Sequence, residues 1–224
     1  MNTIYFISGL GADWRMFQFL KLPDHLPQQQ IKWVPPLHLD EPLETYVQRL
    51  IPQIEDTVDP ILVGFSFGGL VAIELARLLQ PRKIILISSL ATRHAIPWYY
   101  RLAGKTLLHK HVPFKVMQNT YPLAPFFFGA HTPYERRMLK SVFFRIDETF
   151  LRWALGRLLD WKQEIIPPNL VQIHGTSDLI LPLHDRPDMI KIHKGEHLMI
   201  LHRPEEVSNI LSRILLDCIH DEQK

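Results

Sequence analysis

Short apolar runs along the chain alternate with longer segments in which apolar residues recur every three or four positions. The runs read TIYFIS, IKWVP, PILVGF, KIILISS, NLVQIHG and DMIKIH. Most are apolar at successive positions, which is typical of strands buried between two layers of helices. Because strands that alternate with helices form parallel sheets, the pattern predicts an α/β fold. We expect a mostly parallel sheet of about six strands with helices on both faces.

Two of the longer segments have clear helical periodicity. Residues 70–79 place apolar side chains at helical spacing, and Pro81 ends the pattern. A second apolar stripe runs from Val207 to Cys218, with Pro204 well placed at its start. The first segment is predicted to be a crossover helix and the second a final helix.

Residues 92–166 break this alternation. They contain aromatic, helix-compatible pieces and no convincing buried strand. We therefore expect an inserted helical cap at about 92–166, between two strands of the same sheet. The chain has no internal repeat, low-complexity tract or flexible linker, so residues 1–224 are expected to form a single domain.

Composition narrows the possible classes of protein. The 224 residues are 46% hydrophobic, enough for one sizeable core, and the net charge of +2 is too small to predict nucleic-acid binding. Cys218 is the only cysteine, which excludes an intrachain disulfide and a thiolate metal cluster and suits a reducing compartment. The N-terminal segment fits neither a signal peptide nor a transmembrane segment, so the expected location is cytoplasmic.

The first candidate for chemistry is the stretch GFSFGG, Gly64 to Gly69. It follows the run PILVGF and opens the predicted crossover helix, the setting that a strained nucleophile turn requires. Glycines beside Ser66 leave room for a close backbone approach, and the helix N-terminus favours negative charge nearby. A phosphate-binding turn is the alternative, but the Lys-Ser/Thr pair of a P-loop is absent. SGLGADW also has Trp14 where the dinucleotide fingerprint needs its third glycine.

A serine nucleophile needs a base that is itself oriented by an acid. Asp178 lies in the loop HGTSD after one predicted strand, and His197 lies in the loop GEHLM after the next. The order Ser, Asp, His is the one associated with this type of turn. The competing candidates are two other aspartates and two other histidines: Asp185, Asp188, His193 and His202.

An oxyanion hole is predicted from the loop ISGLGADW after the first strand. The backbone N–H of Leu10 could join that of Phe67, the residue after the candidate nucleophile. One such donor is typically worth about 3 to 4 kcal/mol of transition-state stabilisation.

Together these four stretches resemble the α/β-hydrolase superfamily, specifically its small serine esterases with a helical cap. The resemblance implies that Ser66 is the nucleophile, His197 the general base and then acid, and Asp178 the group that orients His197. It implies no cofactor. The chain departs from the family pattern in lacking two strands before the oxyanion-hole strand, which predicts a shortened sheet. It also has Ser8 where a histidine commonly precedes the loop glycine.

The remaining histidines do not predict a metal site. His193, His197 and His202 form one group and His109 with His111 another, but neither has a recognised ligand spacing with a supporting carboxylate. His174 is interpreted as a structural residue at a strand end.

The predicted cap has an unusual charge pattern. From Ala91 to Tyr134 it contains no Asp or Glu, yet it has many aromatic residues and five basic ones, Arg93, Arg101, Lys105, Lys110 and Lys115. One interpretation is aromatic helix packing with a solvated basic rim. The other is an apolar acyl pocket whose mouth attracts an anionic acyl carrier, such as coenzyme A or acyl carrier protein, or an anionic membrane surface.

The predicted function is a serine hydrolase that cleaves an ester or thioester of a small to medium acyl group through an acyl-enzyme. Other chemistry on the same scaffold stays open, namely carbon–carbon bond hydrolysis, cyanohydrin cleavage or acyl transfer. So does a non-hydrolytic protein that uses the pocket to bind a ligand.

Overall fold

The computed structural model describes residues 3–55, 59–106 and 108–220. Six strands form one sheet: β1 Ile4–Ile7, β2 Gln28–Ile31, β3 Ile61–Phe65, β4 Lys83–Ile87, β5 Leu170–Gly175 and β6 Ile190–Ile192. Their order is β2-β1-β3-β4-β5-β6, and all five pairings are parallel. The predicted fold, a shortened parallel α/β sheet of about six strands, is confirmed.

Helices connect the strands across both faces. In the part of the chain that the structure describes they are α1 Leu43–Gln48, α2 Phe67–Leu79, α3 Trp98–Lys105, α4 Leu108–His111, α5 Phe114–Asn119, α6 Ala124–Phe128, α7 Pro133–Arg145, α8 Glu148–Leu159, α9 Met199–His202 and α10 Pro204–His220. Short 3₁₀ turns lie at Trp14–Met16, Ile51–Gln53, Arg93–Ala95 and Tyr121–Leu123. Helices α2 and α10 coincide with the two helices predicted from periodicity. Helices α3 to α8 all lie between β4 and β5, within residues 92–166, which we call the cap segment.

Successive residues of the inner strands point into two separate apolar layers. In β3, Leu62 belongs to the layer that contains α2 and α8, whereas Ile61 and Val63 belong to the layer that contains α7 and α10. All five residues of β3 are buried. This burial on both faces is the physical reason that the inner strands read as continuous apolar runs.

The prediction for the second strand was wrong in position. The run IKWVP, residues 31–35, was expected to pair, but β2 is Gln28–Ile31. Backbone groups of the following residues are bonded by side chains instead of the sheet: the amide of Gln53 pairs with Lys32, and the hydroxyl of Tyr46 pairs with Val34. Since β2 is an edge strand, its glutamines remain partly exposed at little cost.

The strand order creates a crevice at the carboxyl end of the sheet. From β1 the chain passes to β2, which pairs with one edge of β1, and then crosses to β3, which pairs with the other edge. The direction in which strands are added to the sheet therefore reverses between β1 and β3. In open α/β sheets ligands bind at such a switch point. The loop after β1 and the turn after β3, which carries Ser66, both open there.

The start of α2 lies extremely close to the end of β1. A Cβ atom at Gly68 would lie 2.2 Å from the carbonyl oxygen of Ile7 and 2.3 Å from that of Ser8. Backbone atoms have no flexible end that could move aside, so this contact requires glycine.

We predict that Gly68→Ala destabilises the protein, although alanine is the better helix former by about 1 kcal/mol. The methyl group would overlap two backbone oxygens, and overpacking of this kind costs about 2 kcal/mol or more. For a domain of this size we therefore expect the Tm to fall by about 4 to 8 °C. Thermal unfolding followed by circular dichroism measures this.

The matched control is Gly104→Ala in α3, where the nearest atom to an added Cβ is a side-chain carbon of Leu159, at 3.1 Å. That variant should stay within about 1 kcal/mol of the parent. Equal stability of the two variants would contradict the close approach at Gly68.

Candidate active site

Ser66 sits at the turn between β3 and α2 with a backbone conformation that few side chains adopt. Its φ is 52° and its ψ is −123°. The turn is fixed from two sides, because Ser66 N–H donates to the Ile87 carbonyl at 3.0 Å and the Ser89 hydroxyl donates to the Ser66 carbonyl at 2.6 Å. A Cβ at Gly64 would lie 2.5 Å from Gly69 Cα, so the sharp turn also needs both glycines. Strain of this kind persists where the surroundings over-determine it, often at functional sites.

The structure brings Ser66, His197 and Asp178 together. The Ser66 hydroxyl lies 2.9 Å from His197 Nε2, and His197 Nδ1 lies 2.8 Å from Asp178 Oδ2. His197 and Asp178 are 1% and 3% exposed, so both side chains are almost completely buried. With Nδ1–H donating to the carboxylate, Nε2 is free to accept the serine proton.

Asp178 has enough partners to remain a carboxylate despite its burial. Its other oxygen, Oδ1, accepts hydrogen bonds from the N–H groups of Ile180 and Leu181, both at 2.9 Å. Burial acts to raise the pKa of Asp178, but His197, His174 and the Leu181 N–H outweigh it and lower the pKa below the ordinary value. The carboxyl is therefore ionised at neutral pH.

A buried polar chain behind Ser66, His197 and Asp178 was not predicted from the sequence. Gln172 Nε2 donates to the Ser89 carbonyl at 2.7 Å and lies 3.4 Å from His174 Nδ1. His174 Nε2 donates to the Leu181 carbonyl at 2.8 Å and lies 3.5 Å from Asp178 Oδ2. Burial chiefly lowers the pKa of His174, which keeps it neutral. The chain links the turn of Ser66 to the loop of Asp178.

His174 was interpreted as a structural residue, and its hydrogen bonds agree with that. What the sequence did not indicate is its contact with Asp178. The only available signal was polar Gln172 and His174 at alternate positions of an apolar strand, where both side chains point to the same face.

The competing candidates lie elsewhere. Asp185 and Asp188 are exposed and pair with Lys191 and Arg186, respectively. His193 is also exposed. His202 Nε2 lies 3.9 Å from Glu196 Oε2, and the imidazole bonded to the Ser66 hydroxyl is that of His197. The side chain of His109 falls outside the described residues.

The loop after β1 has its own support where the resembled family commonly has histidine. The hydroxyl of Ser8 donates to the Ala12 carbonyl at 2.7 Å and accepts from Trp33 Nε1 at 3.0 Å. Trp33 Nε1 also lies 3.2 Å from the Gly9 carbonyl. These bonds fix the backbone on either side of Leu10. Within the described ranges, neither the N–H of Leu10 nor that of Phe67 donates to a backbone carbonyl.

A cavity of about 570 Å³ opens above Ser66. Its floor includes Gly9, Leu10, Ser66, Phe67 and His197, and its walls come mostly from α3, α5, α7 and α8 of the cap segment. Over the residues that the structure describes, no Asp, Glu, Lys or Arg lines it. The size is that of a small-molecule site, and the walls suit an apolar, uncharged group.

Among the described residues, no helix is both long enough and apolar enough to cross a membrane. No curated protein sequence matches this chain.

Several solved structures share the fold. An esterase from Thermogutta terrifontis is 16% identical with a TM-score of 0.69, and the match covers 97% of this chain and 90% of that one. An enol-lactonase from Burkholderia xenovorans is 15% identical with a TM-score of 0.71, and the match covers 96% of this chain and 91% of that one. A meta-cleavage product hydrolase from Pseudomonas fluorescens is 16% identical with a TM-score of 0.67, and the match covers 97% of this chain and 91% of that one. At these identities the likeness shows the fold alone.

The amino-acid sequence, unlike the fold alone, assigns the protein to a family. The model of the alpha/beta hydrolase family matches residues 4–210, which include all six strands, the Ser66 turn and the loops of Asp178 and His197. This protein therefore belongs to the alpha/beta hydrolase family.

Proposed function

We propose that this protein is a serine hydrolase that cleaves an ester or thioester of an uncharged, apolar acyl group of small to medium length. The observation that carries the proposal is the hydrogen-bonded series from Ser66 through His197 to Asp178 at the floor of an apolar cavity. A carboxylesterase or thioesterase needs these groups in this order. None of the steps requires a cofactor.

In the proposed reaction, Ser66 Oγ attacks the carbonyl carbon while its proton passes to His197 Nε2. Asp178 stabilises the imidazolium that forms, since its carboxylate accepts from Nδ1–H. The tetrahedral intermediate collapses, and the alcohol or thiol leaves with the proton from His197. Water then repeats the sequence on the acyl-enzyme and releases the acid and free Ser66.

The N–H groups of Leu10 and Phe67 are proposed to stabilise the oxyanion. Both residues line the cavity beside Ser66, and Phe67 is the first residue of α2, where the helix dipole favours negative charge. The hydrogen bonds of Ser8 and Trp33 support this loop without a histidine.

We propose that the cap segment belongs to the same domain as the sheet. Phe150 and Trp153 of α8 share one buried apolar cluster with Leu70 of α2, and Trp153 Nε1 donates to the Glu41 carbonyl at 2.8 Å. Tyr100 of α3 donates to the Ile180 carbonyl at 2.9 Å, and burial raises the pKa of Tyr100 to about 12. The cap segment is thus bonded to both the core and the loop of Asp178.

The narrower proposal is a carrier-linked thioester whose anionic carrier binds the rim of the cap segment. Arg93 and Lys110 are paired with Glu164 and Asp40, which reduces the basic excess of the rim. Arg101, Lys105 and Lys115 are exposed on α3 and α5, two helices that wall the cavity. A carrier would therefore sit near the acyl pocket.

We also propose a cytoplasmic location, because Cys218 is the one cysteine of the chain, so no intrachain disulfide can form.

The role of Asp178 can be tested against the two other aspartates of the same region. We predict that Asp178→Asn lowers kcat for p-nitrophenyl butyrate by about 10⁴-fold, because an amide no longer stabilises the imidazolium or fixes its tautomer. Ser66→Ala should lower kcat by at least as much. Steady-state kinetics on folded variants measures both.

The controls are Asp185→Asn and Asp188→Asn, which should remain within about twofold of the parent because both carboxylates are exposed. A full loss of activity in either control, with Asp178→Asn active, would assign the acid role to another residue.

The cavity predicts a dependence on acyl-chain length. Each methylene that enters the apolar pocket contributes about 0.8 kcal/mol, so kcat/KM should rise by up to about fourfold per carbon until the cavity is full. We expect p-nitrophenyl esters from acetate to decanoate to pass through a maximum at medium length. Leu155→Trp, on the cavity wall, should move that maximum to shorter chains.

Thr149→Trp serves as the control because Thr149 is exposed on the same helix. An unchanged optimum in Leu155→Trp would contradict binding of the acyl chain in this cavity.

The carrier proposal is tested with the coenzyme A thioester of the optimal acyl group: its hydrolysis should slow with salt while that of the neutral ester does not. Equal salt dependence would remove the carrier.

A further inference from the structure

A histidine of the cap segment meets a glutamate and a second histidine beside the loop of His197. His131 lies between α6 and α7 in the cap segment, Glu196 immediately precedes His197, and His202 is the last residue of α9. One possible ligand atom from each lies within 4.8 Å of the other two. We call these three residues the His–Glu cluster.

The geometry points to a site for a divalent transition ion such as Zn²⁺, and we propose that the His–Glu cluster binds it. His131 Nε2 contacts Glu196 Oε2, and His202 Nε2 lies 3.9 Å from the same oxygen. The two imidazole rings are 5.4 Å apart at their centroids. Zn²⁺ binds imidazole nitrogen and carboxylate oxygen at about 2.0 to 2.2 Å, so shifts of under about an ångström would bring all three atoms to ligand distance.

The backbone that carries the cluster is already fixed. The carboxylate of buried Glu135 accepts from the N–H groups of His131 and Thr132, at 2.6 and 2.9 Å. Leu198 N–H donates to the Phe128 carbonyl at 3.0 Å, which joins the turn after α6 to the loop of His197. A site assembled on fixed backbone loses less entropy when it binds an ion.

Exposure of the three side chains suits entry of an ion from solvent. The side chain of His131 is 61% exposed, that of Glu196 is 25% exposed and that of His202 is 12% exposed. An ion could thus meet His131 first and then the two less exposed ligands, with water as the fourth ligand. His202 Nδ1 is buried and has no hydrogen-bond partner among the described residues, so no bond there commits this ring to another role.

An ion pair between His131 and Glu196 is the simpler use of these residues. Exposed ion pairs contribute little to stability, and this one would leave the His202 ring unused. A metal ion uses all three residues and would connect the cap segment to the turn that carries His197. Because the triad does not include any of the three, metal binding can be tested apart from hydrolysis.

The test is isothermal titration of Zn²⁺ into tag-free protein that has been stripped with a chelator. We expect one saturable site in the wild type and at least about tenfold weaker binding in His131→Ala and in Glu196→Gln, since even loss of a group that supports a metal ligand costs about ten- to hundredfold. His25→Ala and His94→Ala are matched controls, because both histidines are exposed and outside the cluster. Both controls should bind as the wild type does.

Thermal unfolding gives a second readout that does not depend on activity. At Zn²⁺ about a hundredfold above Kd, the wild-type Tm should rise by about 5 °C or more, and this rise should be lost in His131→Ala. Because His131 is largely exposed, the variant should unfold at the wild-type temperature in chelator. Absence of saturable binding in the wild type, or equal binding in His131→Ala, would overturn the metal site and leave only the ion pair.

Discussion

The close approach of α2 to the end of β1 is the constraint on which the site depends. Gly68 lies against the carbonyl groups of Ile7 and Ser8, so the helix begins directly beside the loop of Leu10. That contact places the Phe67 N–H next to the loop after β1 and turns Ser66 out of the sheet at the point where the winding reverses. A side chain at position 68 would move the start of α2, and with it Ser66 and the Phe67 N–H, away from the loop of Leu10.

At the other end of the site, the cost of burying the charged carboxylate of Asp178 is offset by the groups that surround it. Asp178 is almost inaccessible, yet two backbone N–H groups and two imidazoles surround its oxygens. A buried carboxylate without such partners would take up a proton, whereas this one keeps its charge at neutral pH. The chain through Gln172 and Ser89 then connects this charge to the backbone of Ser66, so Ser66 and Asp178 share one hydrogen-bonded support.

The sequence predicted the features that have a local physical signature. Inner strands such as β3 are buried on both faces and therefore read as apolar runs, and the glycines around Ser66 report a close backbone approach. The edge strand β2 has no such signature because side chains of Gln53 and Tyr46, far along the chain, decide where it ends. The His–Glu cluster was missed for the same reason, since His131 is 65 residues from Glu196 and the two meet only in the fold.

The central claim is that Ser66 becomes acylated because His197 and Asp178 activate it. The most direct measurement is covalent labelling with a fluorophosphonate, followed by peptide mass spectrometry to locate the modified residue. The account predicts one stable adduct on Ser66, no label in Ser66→Ala, and much slower labelling in His197→Ala. A folded protein that stays unlabelled, or an adduct on another residue, would contradict it.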